Sequence, residues 1–209
     1  MVKTIPADAI SLYDLKENFG LERSDDEQFF REWQDNLPKL TNGEKQALDE
    51  VKADYRYLSR YNMPESIPKI VVLSPLLKLA GFYRAPFQAT GENTVEISME
   101  HEGEICQGHI NTLVFQNQLW VTSIETKNAV FSHASAIPIA LIFMLMHSDS
   151  EKPKFGFLTN GSEFIFLKLT KQGTPRYAMS CAFFLSNKGN LYTVLSILKR
   201  LGQLVTHNK

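Results

Sequence analysis

The spacing of apolar residues shifts along the chain from helical to strand-like and back. Phe29, Phe30, Trp33 and Leu37 recur at helical intervals behind Ser24-Asp25-Asp26-Glu27, which has the form of a capping box, and the run stops at Pro38. Thr41-Asn42-Gly43-Glu44 is a second box. It opens a helix carrying Ala47, Leu48, Val51, Tyr55 and Leu58 on one face, ended by Asn62-Met63-Pro64. Together these runs predict a helical hairpin over residues 24–61. Ile70, Val71, Leu73, Leu76, Leu77 and Leu79 predict a buried helix ended at Gly81, with Pro75 forcing a kink or a fresh start at Ser74.

Strand signals follow. Thr94–Met99 and His109–Phe115 alternate, and Leu119–Lys127 is rich in β-branched and aromatic residues. Ser132–His147 is apolar all round, which predicts a helix buried on more than one side. Phe155–Thr159 and Glu163–Leu169 flank Asn160-Gly161, a strong hairpin signal. A further strand is predicted at Arg176–Ser180, and Leu191, Val194, Leu195, Leu198 and Leu201 mark a closing helix. The order is helix, three strands, helix, two strands, with helices fore and aft: a mixed sheet with helical layers.

Composition narrows the class. Of 209 residues 44% are hydrophobic and 22% charged, which excludes a disordered or fibrous chain. The longest apolar run, Ile137–Met146, is about half of the ~20 residues that a membrane span needs, and the start lacks a signal-peptide apolar region. Two cysteines, Cys106 and Cys181, make no disulfide framework and suit a reducing compartment, so a cytoplasmic location is expected. The net charge of −1 excludes a globally basic nucleic-acid binder, though not a local basic groove.

Candidate chemistry centres on Ile124-Glu125-Thr126-Lys127. Acid-x-Lys occurs three times, at Asp14-Leu15-Lys16, Glu50-Val51-Lys52 and Glu125-Thr126-Lys127, but only the third falls on a strand, where a period of two sets the charges side by side. Two charges at the end of an apolar strand cost desolvation unless they pair or meet an ion. The preceding strand offers Asn111, with His109 on the same face. A two-residue loop at Asn117-Gln118 pairs Asn111 with Ile124 and turns it away from Glu125; a three-residue loop or a bulge puts Asn111 and Glu125 on one face. The site therefore requires the odd loop.

A strand with a Gly-x-x-(Asp)-x-Leu-Val pattern, a strand ending Ile-Glu-x-Lys and then a helix resemble the PD-(D/E)XK nuclease superfamily. More narrowly, the chain is similar to small cyanobacterial proteins described as type I restriction endonuclease subunit R-like. The segments Asp26–Gln34, Leu73-Ser74-Pro75-Leu76-Leu77 and Phe155–Gly161 share that likeness, which covers most of the chain. The resemblance implies an α/β (α+β) fold: a restriction-endonuclease-like mixed β-sheet flanked by helices over residues 63–209, with an N-terminal helical extension, the predicted hairpin, packed on it over residues 1–62. It implies magnesium- or manganese-dependent hydrolysis of DNA phosphodiesters, with Glu125, Lys127 and Asn111 catalytic and Glu125, Asn111 and Glu65 holding the metal. The implied partners are DNA and either a second copy or a larger restriction-type complex, with no membrane.

Two departures bear on activity. The first ligand of the pattern is aspartate, and here it is Asn111. A neutral amide forfeits one unit of attraction to the cation, at most roughly 4 kcal/mol at ~4 Å and an intermediate dielectric, so metal binding is expected to be weak. The following helix has Ile139 and Phe143 where the pattern has glutamine and tyrosine. The expectation is thus an attenuated endonuclease, or else a catalytically inactive nuclease-fold module that binds nucleic acid or serves a complex. A purely structural protein with Glu125 and Lys127 locked in an ion pair is the third reading. The chain has no Gly-x-x-x-x-Gly-Lys segment and is not by itself a motor-driven restriction subunit.

Other constellations carry less. The five histidines lack ligand spacing for zinc, and Ser123 near His109 has neither an elbow nor an orienting acid. Glu96, Glu100, Glu102 and Glu104 read as a solvated acidic edge, and Phe29, Phe30 and Trp33 as core. Arg84, Lys127, Lys154, Lys168 and Arg176 are either scattered surface cations or the lining of a phosphate groove.

Overall fold

The computed structural model describes residues 3–6, 11–64, 66–90, 100–101, 104–107, 111–115, 119–123, 133–146 and 152–207. The described strands form a mixed, open sheet of eight, in which β2 (Glu22–Arg23), β10 (Arg176–Met179), β9 (Glu163–Thr170), β8 (Lys154–Thr159), β7 (Leu119–Ser123), β6 (Asn111–Phe115) and β3 (Ala89–Thr90) lie in that order, and β11 (Phe183–Phe184) pairs with β9. β7 and β8 are parallel, which requires a crossover, and α5 (His133–Met146) supplies it. A separate three-stranded sheet joins β1 (Lys3–Pro6), β5 (Glu104–Gln107) and β4 (Glu100–His101).

Helices cover both faces of the main sheet. On one, α2 (Asn42–Leu58), α4 (Ser74–Leu79) and α6 (Asn190–His207) pack over Leu119, Val121, Phe155, Phe157, Phe164 and Phe166. Phe157 lies between Phe164 and Phe166, with ring centroids 6.1 and 4.9 Å away. On the other face α5 meets Trp120, Leu158, Ile165, Leu167 and Leu169, and is covered in turn by α1 (Leu12–Phe19) through Leu15 and Phe19. Being enclosed from both sides, α5 is apolar all round, as its sequence predicts. Gly156 admits it closely: a Cβ there would stand 3.0 Å from Met144 Sδ.

Local signals account for the helices. Thr41 and Glu44 form the predicted reciprocal cap of α2, and Ser11 and Asp14 form an equivalent one on α1 that the apolar pattern alone does not reveal. Residues 66–79 are helical in three pieces: α3 (Ser66–Pro68), a π-helical turn (Lys69–Leu73) and α4, which starts afresh at Ser74 with Pro75 in its first turn.

The structure departs from the sequence reading in three places. The first helix of the predicted hairpin is a series of turns over residues 27–36. Asp26 Oδ1 captures the Gln28 amide at 2.9 Å, and Asn36 adopts φ +54, so both ends of the run favour turns. Its apolar residues still reach the core, with Phe30 against Phe155 and Trp33 edge-on to Phe183. Ile70, expected to be buried, is 63% exposed, because the π turn rotates it off the apolar face. β8 and β9 do pair antiparallel around Asn160-Gly161, as the sequence predicts, the last paired residues being Thr159 and Phe164. The strands β1, β2, β3, β4, β5 and β11 went unpredicted, each being only two to four residues long and held by its pairing partner. The predicted strand 94–99 lies outside the described residues.

Candidate functional site

Four strands meet in one row at a margin of the main sheet. β6 and β7 are antiparallel, with Asn111 opposite Ser123 and Phe115 opposite Leu119. Ser123 lies beside Thr159 of β8, and Thr159 opposite Phe164 of β9. Three residues separate the paired Phe115 and Leu119, which is the odd spacing that the amide–carboxylate arrangement requires; Asn111 does not pair with Ile124. Glu125 and Lys127 follow Ser123 by two and four positions in sequence. They lie outside the described residues, as does Glu65, so of the four predicted site residues only Asn111 is placed, by its backbone.

The neighbouring loop is tightly built. Thr159 is 1% exposed, and its Oγ1 accepts the Gly161 amide at 2.8 Å. Asn160 Oδ1 accepts from the Ser162 and Glu163 amides at 3.0 and 2.9 Å and from the Ser162 hydroxyl at 3.0 Å. Gly161 takes φ +88 and passes so near the start of the helical run that a Cβ would come 2.2 Å from Pro68 Cβ. This contact seats α3, which Glu65 immediately precedes in sequence, against the strand margin.

Among the described residues, two of the candidate cations for a phosphate groove brace the 29–32 turn instead. Lys168 Nζ donates to Phe29 O at 2.6 Å and to Glu32 Oε1 at 2.5 Å, and stands 5.2 Å from the Phe29 ring centre. Arg176 lies 5.5 Å from the same ring. Both are therefore occupied in holding the 29–32 turn. Lys154 is only 2% exposed, Arg84 is exposed in the turn after α4, and Lys127 lies outside the described residues. Among the described residues no cluster of three His, Cys, Asp or Glu could hold a metal, and no helix is long and apolar enough to cross a membrane.

Two clefts were not anticipated. One, of about 450 Å³, lies between residues 23–34 and β10. Its charges offset one another: Arg23 and Arg31 face Asp25, Asp26 and Glu27. Arg31 also grips Asp35 through two hydrogen bonds of 2.9 and 2.8 Å, which hold the Asp35 carboxyl below its ordinary value and the guanidinium above its own. The second cleft, of about 270 Å³, is lined by Lys52, Tyr55, Arg56 and Ser59 of α2 together with Ser162 and Phe184, and no acidic residue lines it. Its cationic edge was legible in the Lys52, Arg56 spacing of four, which Arg60 continues beyond the lining, but its opposite wall comes from far along the chain. No protein-family model matches the chain, and no curated protein matches it.

Proposed function

We propose that the protein is a magnesium- or manganese-dependent phosphodiester hydrolase of the PD-(D/E)XK type that acts on DNA in the cytoplasm, with a restriction-endonuclease-like core. The observation that carries this reading is the β6–β7 register, which sets Asn111 opposite Ser123, two positions before Glu125. The order in which β7 is followed by α5 and then by the parallel β8 supports it. Asn111, Glu125 and Glu65 offer an amide oxygen and carboxylates, hard donors suited to a small divalent cation. A cation held there would supply stabilisation of charge on the phosphate and would lower the pKa of a bound water. In this assignment Lys127 orients the attacking water and screens the developing charge, while Asn111 holds its oxygen without contributing charge and keeps affinity for the cation low.

The neutrality of Asn111 specifically favours a second reading, a nuclease-fold module that binds nucleic acid, alone or in a larger complex, without turnover. Incubation with plasmid and linear DNA at low salt, with magnesium and then manganese, separates the two. Cutting by the wild type that is lost in Lys127→Ala is the expected result. Cutting only by Asn111→Asp indicates a decayed catalyst, and binding without cutting in every variant refutes the hydrolase.

A further inference from the structure

We infer that the 270 Å³ cleft beside the C-terminal half of α2 is a binding groove for single-stranded nucleic acid, with one phosphate on Arg56 in its lining, the next on Arg60 four residues further along, and a base against Phe184. The inference rests on the nucleic-acid reading above and adds the surface that holds the strand.

The groove is built by α2 and a distant segment. Lys52 Nζ donates to the carbonyls of Ser186 and Asn187 at 3.2 and 3.3 Å, drawing the segment after β11 against α2. β11, just before it, presents Phe184, which is 41% exposed and lines the cleft together with Tyr55. An exposed phenyl ring at the mouth of a cleft is an apolar face in need of a flat partner. The hydroxyl-bearing residues Ser59, Ser162 and Ser186, with Leu185, complete the lining.

Charge selects the ligand. Lys52, Arg56 and Arg60 follow at intervals of four along one side of α2 and the turn that continues it, with Asp54 displaced to the far side. Asp49, one turn earlier, is engaged by the Tyr192 hydroxyl at 2.5 Å. Arg56 and Arg60 are exposed and make no ion pair among the described residues. A protein of net charge −1 thus carries a local cationic stripe next to an aromatic cleft, the pairing that binds unstacked bases and their backbone. Flanking Arg60 in sequence, Tyr57 and Tyr61 are exposed, with ring centroids 5.7 Å apart.

Position ties the groove to the sheet margin. Ser162 lines the groove, Gly161 beside it meets Pro68, and Thr159 belongs to the row of Asn111 and Ser123. Three residues of chain span at most about 11 Å, so a strand bound in the groove reaches the row within a nucleotide or two.

Anisotropy of a labelled oligothymidylate, measured without divalent metal over a salt series, tests this. Arg56→Ala/Arg60→Ala is expected to weaken binding and to reduce the slope of log K against log[salt] by about 1.4, the value for two phosphates on a single strand. Phe184→Ala is expected to weaken binding about 5- to 150-fold while leaving the slope unchanged. Lys39→Ala/Lys45→Ala removes two exposed cations outside the groove and is expected to bind as the wild type does. A wild-type slope in the double arginine variant overturns the assignment. So does equal competition by polyglutamate with no effect of Phe184→Ala, which indicates an acidic protein partner instead. Cutting assays keep the two proposals apart. If the arginine variant cuts and binds normally, the groove falls and the hydrolase stands. If Arg56 and Arg60 govern binding but nothing cuts, the hydrolase falls and the groove stands. No binding by the wild type at low salt sinks the groove, whatever the cutting assay gives.

Discussion

Gly161→Ala probes the contact that seats the helical run on the strand margin. Two costs add. The backbone there has φ +88, a conformation that costs a residue with a Cβ about 1–2 kcal/mol. The new methyl would also stand 2.2 Å from Pro68 Cβ and 3.2 Å from Pro68 Cα, so helix or loop must move, and overpacking of this kind costs about 1–3 kcal/mol. The sum is about 2–5 kcal/mol. Gly173→Ala is the internal control: φ is +69, but nothing lies within 4 Å of the added carbon, so only the backbone cost of about 1–2 kcal/mol applies. The assay is urea unfolding of both variants, with thermal melts in parallel, where a loss of about 3 kcal/mol lowers Tm by about 6–12 °C in a chain of this size. Pro68→Gly removes the colliding Cβ and Cγ, and in combination with Gly161→Ala should restore about 1 kcal/mol or more relative to additivity. If Gly161→Ala is no more damaging than Gly173→Ala, or if the cycle shows no coupling, the contact does not seat the helix and the reasoning fails.

Three further outcomes are expected. Burial pushes the Glu44 carboxyl up, but hydrogen bonds from Lys199 (2.5 Å) and Thr41, with the charge of the lysine, outweigh it and leave the group below its ordinary 4.5. Its stabilisation is therefore complete above 4.5 and lost as pH falls through the lower folded value, so the roughly 1 kcal/mol cost of Glu44→Gln at neutral pH should shrink in acid; a cost independent of pH in denaturant titrations contradicts this. Lys168→Met leaves Glu32, whose Oε2 is already buried without a hydrogen bond, uncompensated, and should cost about 2–3 kcal/mol, somewhat less than for a fully buried pair. Adding Glu32→Leu should recover most of that loss in the same unfolding measurement, and a purely additive double variant contradicts the pairing. Gly202→Ala sets helix propensity, a gain of about 1 kcal/mol, against a Cβ 2.7 Å from Phe82 Cε1; a net loss is expected because Phe82 is itself packed on Phe87 at 4.8 Å, and a rise in Tm would show that the ring yields.

Helices and long strands were legible wherever the determining forces act within a few residues. Thr41 and Glu44 cap α2 through atoms three positions apart, Pro75 restarts α4, and the uniform apolarity of α5 reports enclosure by neighbours on both sides. The same local rules mislead at residues 24–37, where apolar spacing fits a helix but Asp26 and Asn36 bond and turn the backbone otherwise, and the side chains reach the core from turns. Sheet order and register belong to the tertiary structure alone. Strands as short as β2 and β11 hold no pattern, and gain their hydrogen bonds only from β10 and β9. For the candidate site, sequence supplies the residue types and their spacing of two, whereas only the pairing of Asn111 with Ser123 decides which of them share a row. The groove divides in the same way. The interval of four in Lys52, Arg56 and Arg60 is written in the chain, but Phe184 and Ser162 close the cleft because folding brings distant segments together, and backbone pairing and burial reward such contacts regardless of separation in sequence.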